Sequence, residues 1–303
     1  MELLDDFLRN CKLRGRTERT LEGYKSTVGE FLNLFPEPET VTSDELEIYL
    51  ETLQKRKLVI KTQKTYFSAI STFYEYLIYK KIAIANPVLP FRKWYLDKPN
   101  KSKRKQLLSV DQMRMLLNSI PDDRIDVIAM IMVFARGGPR KQEFLDLRKD
   151  DVDFQRKMIK LPQKEKRYNQ IILMDIELEI VMEAYFDWYN QHNIYDSPYL
   201  WIAENGRRLN KNDPNKIIQE FAEPVGLHDP NGPSERRLTT HCFRKFMTHH
   251  FTKNGMPSIF LQLLRGDSLS DKAWKDNYLE PEDLIDNEVR TCFEYTAPPL
   301  LCY

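Results

Sequence analysis

Long hydrophobic runs are missing from this 303-residue chain. No apolar stretch approaches the roughly 18 residues a membrane helix needs, so no spanning segment is expected. The opening Met1-Glu2-Leu3-Leu4-Asp5-Asp6 lacks the basic region and apolar core of a secretion signal. Cysteine is scarce. Cys11, Cys242, Cys292 and Cys302 form no Cys-x-x-Cys pair and no disulfide-framework spacing, which points to a reduced, cytoplasmic setting. The 10 glycines build neither Gly-x-x-x-x-Gly-Lys-[Ser/Thr] nor Gly-x-Gly-x-x-Gly, so nucleotide-driven chemistry lacks its usual loop. Gly-x-Ser-x-Gly is absent as well. His249 and His250, with His241 or Cys242, have no carboxylate or Cys-x-x-Cys partner at ligand spacing, so neither a metal nor a cofactor is expected.

A charge imbalance is lacking too: 46 basic and 45 acidic residues leave +1. The two signs are nevertheless separated along the chain. Lys98, Lys101, Lys103, Arg104 and Lys105 make an almost wholly basic run, whereas residues 267–288 are strongly acidic. Such segregation suits a solvated linker or contact with a polyanion. With 42% hydrophobic residues the chain can build real cores, and its length suits two ordinary domains.

Residues 1–96 read as a compact helical unit. The pattern predicts helices over Glu2–Leu13, Thr17–Leu34, Thr42–Leu53 (opened by the capping box Thr42-Ser43-Asp44-Glu45) and Thr62–Ile82. Asn86-Pro87 and Leu89-Pro90 then stop the helical pattern. Its aromatics read as core. Its polar faces carry Lys12, Arg14, Arg16 and Arg19, then Lys55, Arg56, Lys57, Lys61 and Lys64, around helix starts and connections where they could clamp a phosphate backbone. Residues 97–106 form a basic linker with Pro99, and residues 107–303 a second domain.

That second domain mixes helices with a small sheet. Ser109-Val110-Asp111-Gln112 is a capping box, and Arg124–Phe134 is apolar nearly all round, hence a buried helix. The break Arg136-Gly137-Gly138-Pro139-Arg140 precedes a short helix through Glu143 to Leu147. Asp150–Phe154 reads as a turn. Met158–Leu161 and Gln170–Leu173 read as strands flanking a hairpin tip at Gln163–Arg167. Further helices are expected at Glu177–Tyr189, Asp213–Phe221 (Asp213 as N-cap), Thr240–Lys253, Ser258–Leu264, Ser270–Leu279 and Pro281–Phe293.

The stretch Thr239-Thr240-His241-Cys242-Phe243-Arg244 opens one of these helices, with Thr239 or Thr240 as the capping oxygen. His241 and Arg244 lie three apart, so both leave one face near the positive end of the helix dipole. An imidazole, a guanidinium and backbone N–H groups at a helix start make a phosphate site. Phe243, Phe246 and Met247 supply the opposite, buried face.

The order Gly138-Pro139-Arg140-x-x-Glu143-x-x-x-Leu147, a hairpin lysine, His241-x-x-Arg244, a turn at Gly266 and a lone tyrosine, Tyr278, resembles the tyrosine recombinases, the λ-integrase family. The resemblance extends over the N-terminal half as the family's helical core-binding domain. It implies a mainly α fold with a small β-sheet: an N-terminal SAM-like domain and a mixed α/β catalytic domain. Gly-Gly-Pro-Arg stands where the family carries Thr-Gly-Leu-Arg, and Gly266-Asp267 where it carries Leu-Gly-His; this last departure resembles integrases of archaeal viruses and plasmids.

The resemblance assigns Arg140 and Arg244 as the two catalytic arginines, with Glu143 buttressing them and His241 assisting. Lys164 takes the catalytic lysine's place, with Lys166 as the alternative, and Tyr278 takes the nucleophile's. Asp267, after Gly266, falls where the family carries His or Trp; Lys272, Trp274 and Lys275 are nearby substitutes for that role. Tyr295 is the rival nucleophile, although Phe293–Pro299 reads as the packed end of a tail. Expected DNA contacts are Lys12, Arg14, Arg16, Arg19, Lys61, Lys64, Lys101, Lys103, Arg104, Lys105, Lys166 and Arg167.

The chemistry needs these residue types. Attack on a phosphodiester adds negative charge to the nonbridging oxygens, and two guanidiniums meet it bidentately. The implied activity is site-specific cleavage and rejoining of duplex DNA through a 3′-phosphotyrosyl link, without metal or ATP. The implied partners are double-stranded DNA, three further copies in a tetramer on two DNA sites, and an accessory DNA-bending protein. The free protein would be a monomer or weak oligomer, nucleoid-associated. The alternatives are a type IB topoisomerase or hairpin resolvase using the same chemistry, and an inactive DNA-binding protein of the same fold. The apolar C-terminal residues Phe293, Tyr295, Leu300, Leu301 and Tyr303 suit packing on a neighbour or on their own domain.

Overall fold

The computed structural model describes residues 2–97, 106–162, 171–266 and 288–301. The chain divides into a unit of residues 1–102 and one of residues 103–303. Both are dominated by helix, and the second carries one three-stranded sheet.

The first unit consists of α1 (Glu2–Leu13), α2 (Glu18–Leu34), α3 (Ser43–Lys55), α4 (Ile60–Tyr79) and the single turn α5 (Val88–Phe91). Thr17 caps α2, and Thr42 with Glu45 forms a reciprocal capping box at α3. The apolar stripe of α4 continues to Ile82, but Lys81 is left-handed (φ 59°) and the helix closes at Tyr79. Pro87 and Pro90 do not stop the helical pattern as expected. Asn86 accepts from the Val88 amide and starts α5, which runs into a π turn at Arg92–Leu96. An aromatic core of Phe7, Phe31, Tyr49, Phe67, Phe73 and Tyr74 fixes the bundle, with Phe31 edge-on to Tyr49 at 5.4 Å and Phe67 stacked on Phe91 at 5.1 Å.

In the second unit α6 (Val110–Asn118) follows its Ser109–Gln112 capping box and leads to α7 (Ile125–Gly137), buried along almost all its length. After it come α8 (Lys141–Asp146) and the antiparallel sheet β1 (Val152–Asp153), β2 (Met158–Lys160) and β3 (Ile171–Leu173). Ile159 is the centre of the sheet, opposite Val152 on one side and Ile172 on the other. β1 was read from the sequence as part of a turn. It is two residues long, too short for an alternation to show, and the edge of β2 supplies its pairing.

Next are α9 (Ile176–His192), α10 (Asp213–Ala222), α11 (Thr240–Lys253), α12 (Ser258–Arg265) and α13 (Arg290–Thr296). Asp213 is not the N-cap of α10 but its first helical residue; its carboxylate accepts from the Asn210 amide at 2.6 Å, and Asn212 stands at the cap. The last helix continues past Phe293 to Thr296. The segment expected as a helix over residues 270–279 lies outside the described residues.

Two features bring the second unit's functional elements together. Phe243 (α11), Phe134 (α7), Phe144 (α8) and Trp201 form one continuous aromatic stack, with centroid spacings of 6.2, 4.3 and 4.3 Å. All four are essentially buried, so truncating any one would cost about 3–5 kcal/mol. Gly137 is the second. A Cβ there would sit 2.3 Å from Ile172, so only glycine lets β3 close on the last turn of α7.

The C-terminal residues pack on their own unit. The Phe293 ring packs tilted against Phe251 at 5.2 Å, the Thr296 carbonyl accepts from Asn254, and Leu300 is fully buried. The backbone amides of Leu300 and Leu301 donate to Glu177, whose carboxylate also takes Arg136 at 2.6 Å.

Candidate active site

The break after α7 presents Arg140. Gly138 caps α7 in the left-handed conformation (φ 54°), its amide donating to the Phe134 carbonyl. Pro139 follows, and Arg140 stands at the N-cap position of α8. Glu143, only 2% exposed at its side chain, accepts the Arg140 backbone amide at 2.7 Å and the Arg140 guanidinium at 3.2 Å. The Arg140 side chain is 42% exposed. Glu143 therefore holds both ends of Arg140 while burying its own charge against it.

Arg244 reaches the same turn from α11. Its guanidinium donates to the Gly138 carbonyl at 2.6 Å and to the Arg265 carbonyl at 3.1 Å. Both carbonyls terminate helices, α7 and α12, so the cation lies at two negative dipole ends. A Cβ on Gly138 would sit 3.1 Å from the Arg244 Cα, so the two backbones approach as closely as glycine allows. Gly266, also left-handed (φ 59°), caps α12 beside Arg265. Arg140, Glu143, Arg244 and Gly266 are thus brought together as the sequence order implied.

His241 is exposed on the first turn of α11, one helical turn before buried Arg244. The expected cap is absent: Thr239 occupies the N-cap position without a side-chain bond to the helix backbone, and its hydroxyl lies 3.7 Å from the Cys242 sulfur. The Thr240 amide donates instead to Asn215 Oδ1 of α10, at 2.9 Å. Sequence reasoning missed Asn215, because a cap supplied from 25 residues away leaves no local pattern.

Further down α11, burial holds the His250 imidazole below its ordinary pKa, outweighing its bond to the Leu108 carbonyl at 2.9 Å. Arg136 was also missed. It lies in an apolar run, fully buried, and joins the end of α7 to Asp175 and Glu177 at the start of α9.

Lys164, Lys166, Arg167, Asp267 and Tyr278 lie outside the described residues, as do Lys101, Lys103, Arg104 and Lys105. The strand β3, paired with β2, is anchored where Ile172 abuts Gly137. Tyr295 is not packed as its tail was read to be. It is 85% exposed on α13, and Phe293 is the residue turned inward. Among the described residues no group of three or more His, Cys, Asp or Glu could hold a metal. No helix of the described residues is long and apolar enough to cross a membrane.

In the first unit Lys12, Arg14, Arg16, Arg19 and Lys61 are exposed, Arg14 and Arg16 flanking the left-handed Gly15. Lys12 forms an exposed pair with Glu18 at 3.2 Å. Lys64 is half-buried and lines a cleft of about 190 Å³ with Arg92 and Lys93, two cations not singled out from the sequence. Arg56 is tied inward, to Glu30 at 2.7 Å and to the Tyr66 hydroxyl.

A family model described as the phage integrase family matches residues 106–270, and one described as the phage integrase N-terminal SAM-like domain matches residues 3–84. The chain belongs to the phage integrase family, the tyrosine recombinases, and is an enzyme of DNA recombination. Its relatives include the tyrosine recombinase XerC of Herpetosiphon aurantiacus, 26% identical over 278 residues that cover 87% of this chain and 86% of the relative. Tyrosine recombinase XerA of Pyrococcus furiosus is 20% identical over 270 residues, covering 88% and 85%. The fold matches the Tn1549 transposon integrase in complex with transposon right end DNA (TM-score 0.71, 14% identity, covering 95% of this chain and 98% of that one). It also matches a lambda integrase tetramer bound to a Holliday junction (TM-score 0.69, 15% identity, 90% and 76%).

Proposed function

We propose that the protein is a site-specific DNA recombinase that cleaves and rejoins duplex DNA through a 3′-phosphotyrosyl intermediate. The observation that supports it best is the seating of Arg244 on the Gly138 carbonyl, which fixes one guanidinium two residues from the other, Arg140. Paired guanidiniums fixed by buried partners suit the charge that develops on a phosphodiester under attack. Metal-free and ATP-free chemistry is part of this reading.

In it the Tyr278 oxygen attacks phosphorus and the bond to the 5′ oxygen breaks. Lys164 gives that oxygen a proton, leaving a free 5′-hydroxyl. The tyrosine's own proton passes to solvent or a neighbouring base, and His241 hydrogen-bonds the phosphate. The phosphotyrosyl ester keeps the energy of the broken bond, so an incoming 5′-hydroxyl reseals the strand without a nucleotide. A phenol with a reference pKa of about 10 needs these cations nearby to react at neutral pH. One site cuts one strand, and exchange between two duplexes needs four cuts, so four copies would act on two sites. The exposed cations of the first unit would grip the DNA backbone.

The test uses two supercoiled plasmids, one with two copies of the DNA that flanks the protein's own gene and one with none, in chelator. Recombinant circles from the first alone support the reading. Relaxation of both without recombinants indicates topoisomerase chemistry. Binding without cleavage of either indicates an inactive DNA-binding protein.

A further inference from the structure

The last described turn of the first unit presents a tryptophan to water. The π turn at Arg92–Leu96 is fixed from inside: Phe91 stacks on Phe67 of α4 at 5.1 Å and on Tyr95 at 4.6 Å. The Tyr95 hydroxyl donates to Glu47 of α3 at 2.5 Å, and Phe91 and Leu96 are buried. Of the three residues between Phe91 and Tyr95, Arg92 is half-buried, Lys93 is exposed and Trp94 is 82% exposed. The aromatics of this unit read from the sequence as core, and Trp94 departs from that. An indole has more apolar surface to gain from burial than almost any side chain, and here it gains little of it. Its neighbours Arg92 and Lys93 line the cleft of about 190 Å³ together with Lys64, Leu89, Leu96 and Asp97. Three cations thus face one carboxylate, and Leu89, 54% exposed, adds an apolar edge.

We propose that this turn is a contact for duplex DNA, in which the Trp94 indole packs on the sugars of a groove edge while Lys64, Arg92 and Lys93 hold the flanking phosphates. The inference rests on the reading of the protein as a recombinase of duplex DNA. DNA matches both halves of the surface: its phosphates answer the cations, and its deoxyribose offers an apolar face to the indole. A small anion would leave Trp94 unused, and an apolar protein partner would bury cations without countercharge. Beyond Asp97 the chain runs into Lys98, Lys101, Lys103, Arg104 and Lys105, so the positive charge continues in sequence. Because Phe91, Tyr95 and Leu96 already hold the turn, Trp94 and Lys93 meet DNA on a fixed backbone, and little ordering is left for the moment of binding.

The experiment measures acrylamide quenching of tryptophan emission, and DNA affinity across a salt series, on full-length protein. The probes are two short duplexes of equal length, one from the DNA that flanks the protein's own gene and one of random sequence. Trp188 and Trp201 are buried, and subtracting the signal of Trp94→Phe leaves the emission of Trp94 alone. That emission is expected to be strongly quenched in the free protein and shielded by either duplex. Trp94→Ala is expected to weaken binding roughly tenfold, the order set by burying part of an indole, with the slope of log affinity against log salt unchanged. Trp94→Phe keeps a ring and most of the affinity. Arg92→Gln and Lys93→Gln are each expected to lower the salt slope by about 0.9, the counterions released by one phosphate contact. The losses are the same for both duplexes, because sugars and phosphates carry no sequence.

DNA binding that leaves Trp94 as quenchable as before, or a Trp94→Ala protein that binds as tightly as the parent, overturns the inference and leaves the recombinase reading intact. Shielding of Trp94 without DNA that grows with protein concentration overturns it as well, because the turn then meets a second copy. Unchanged salt slopes in both Arg92→Gln and Lys93→Gln remove the phosphate contacts from it. Binding to neither duplex removes the recombinase reading and this inference together. Far-UV circular dichroism with a melting curve shows whether Trp94→Ala folds. Should it not, the quenching difference between the parent and Trp94→Phe decides alone.

Discussion

Arg244 donates to the carbonyl of Gly138 at 2.6 Å, and the two residues touch so closely that a single added carbon on Gly138 would lie 3.1 Å from the arginine Cα. One contact thus joins the His-x-x-Arg helix to the turn that presents Arg140. It makes the glycine part of the proposed phosphate site although it has no side chain.

Gly138→Ala tests that junction. A left-handed alanine costs about 1–2 kcal/mol from the backbone alone, and the new methyl must also displace Arg244. The expected result is a lower urea midpoint together with a DNA-cleavage rate reduced by roughly tenfold or more. A variant as stable and as fast as the parent would show that the contact does not set the site.

Glu143 serves Arg140 twice, at its amide and its guanidinium. Glu143→Ala leaves the amide short of an acceptor and is expected to cost about 1–3 kcal/mol, with cleavage slowed roughly a hundredfold. Glu143→Gln recovers most of the stability but little of the rate, since it keeps an acceptor and loses the charge. Denaturation and single-turnover cleavage, measured on the same samples, separate the two effects.

Arg136 is buried with two carboxylates, one of which also receives the Leu300 and Leu301 amides. Removing one member of such a group strands the others. Arg136→Met is expected to cost about 3–5 kcal/mol. Faster proteolysis of the C-terminal residues should accompany it, because Glu177 would then turn from the tail toward water. Limited proteolysis followed by mass analysis reads this directly.

His250 sets a pH dependence. Its pKa is lowered by burial, with His249 and Lys253 adding smaller contributions of the same sign and the Leu108 carbonyl opposing them. Above the ordinary value of 6.5 the imidazole is neutral in folded and unfolded chains alike, and nothing is lost. Below it the unfolded chain takes up a proton that the folded one refuses until its own lower pKa is passed, so stability falls as pH falls through that window. The urea midpoint should drop between about pH 7 and about pH 5, and drop less in His250→Asn. Equal slopes would remove His250 from the explanation.

The fold, and with it the elements that bring Arg140, Glu143 and Arg244 together, was legible because helices announce themselves by period and cap. The boxes at Thr42 and Ser109 and the apolar run of α7 led to elements that match within a few residues. The sequence could also show that Gly137 and Gly138 break the chain, though not why each must be glycine. One faces Ile172 and the other Arg244, both distant in sequence, and no local pattern carries such contacts. The same reason hides Asn215, whose partner is Thr240, and Arg136, whose charges are met by α9. Tyr295 was misjudged because a tail of aromatics and prolines does not reveal which ring turns inward; Phe293 does.

The most direct measurement is the site of the covalent bond. Protein incubated with supercoiled DNA in chelator is denatured, digested with protease and nuclease, and the nucleotide-bearing peptide is sequenced by mass spectrometry. A 3′-nucleotide on Tyr278, absent from Tyr278→Phe and unaffected by Tyr295→Phe, is the expected result. A nucleotide on Tyr295 or any other residue, or none from DNA the protein demonstrably binds, would contradict the proposed chemistry.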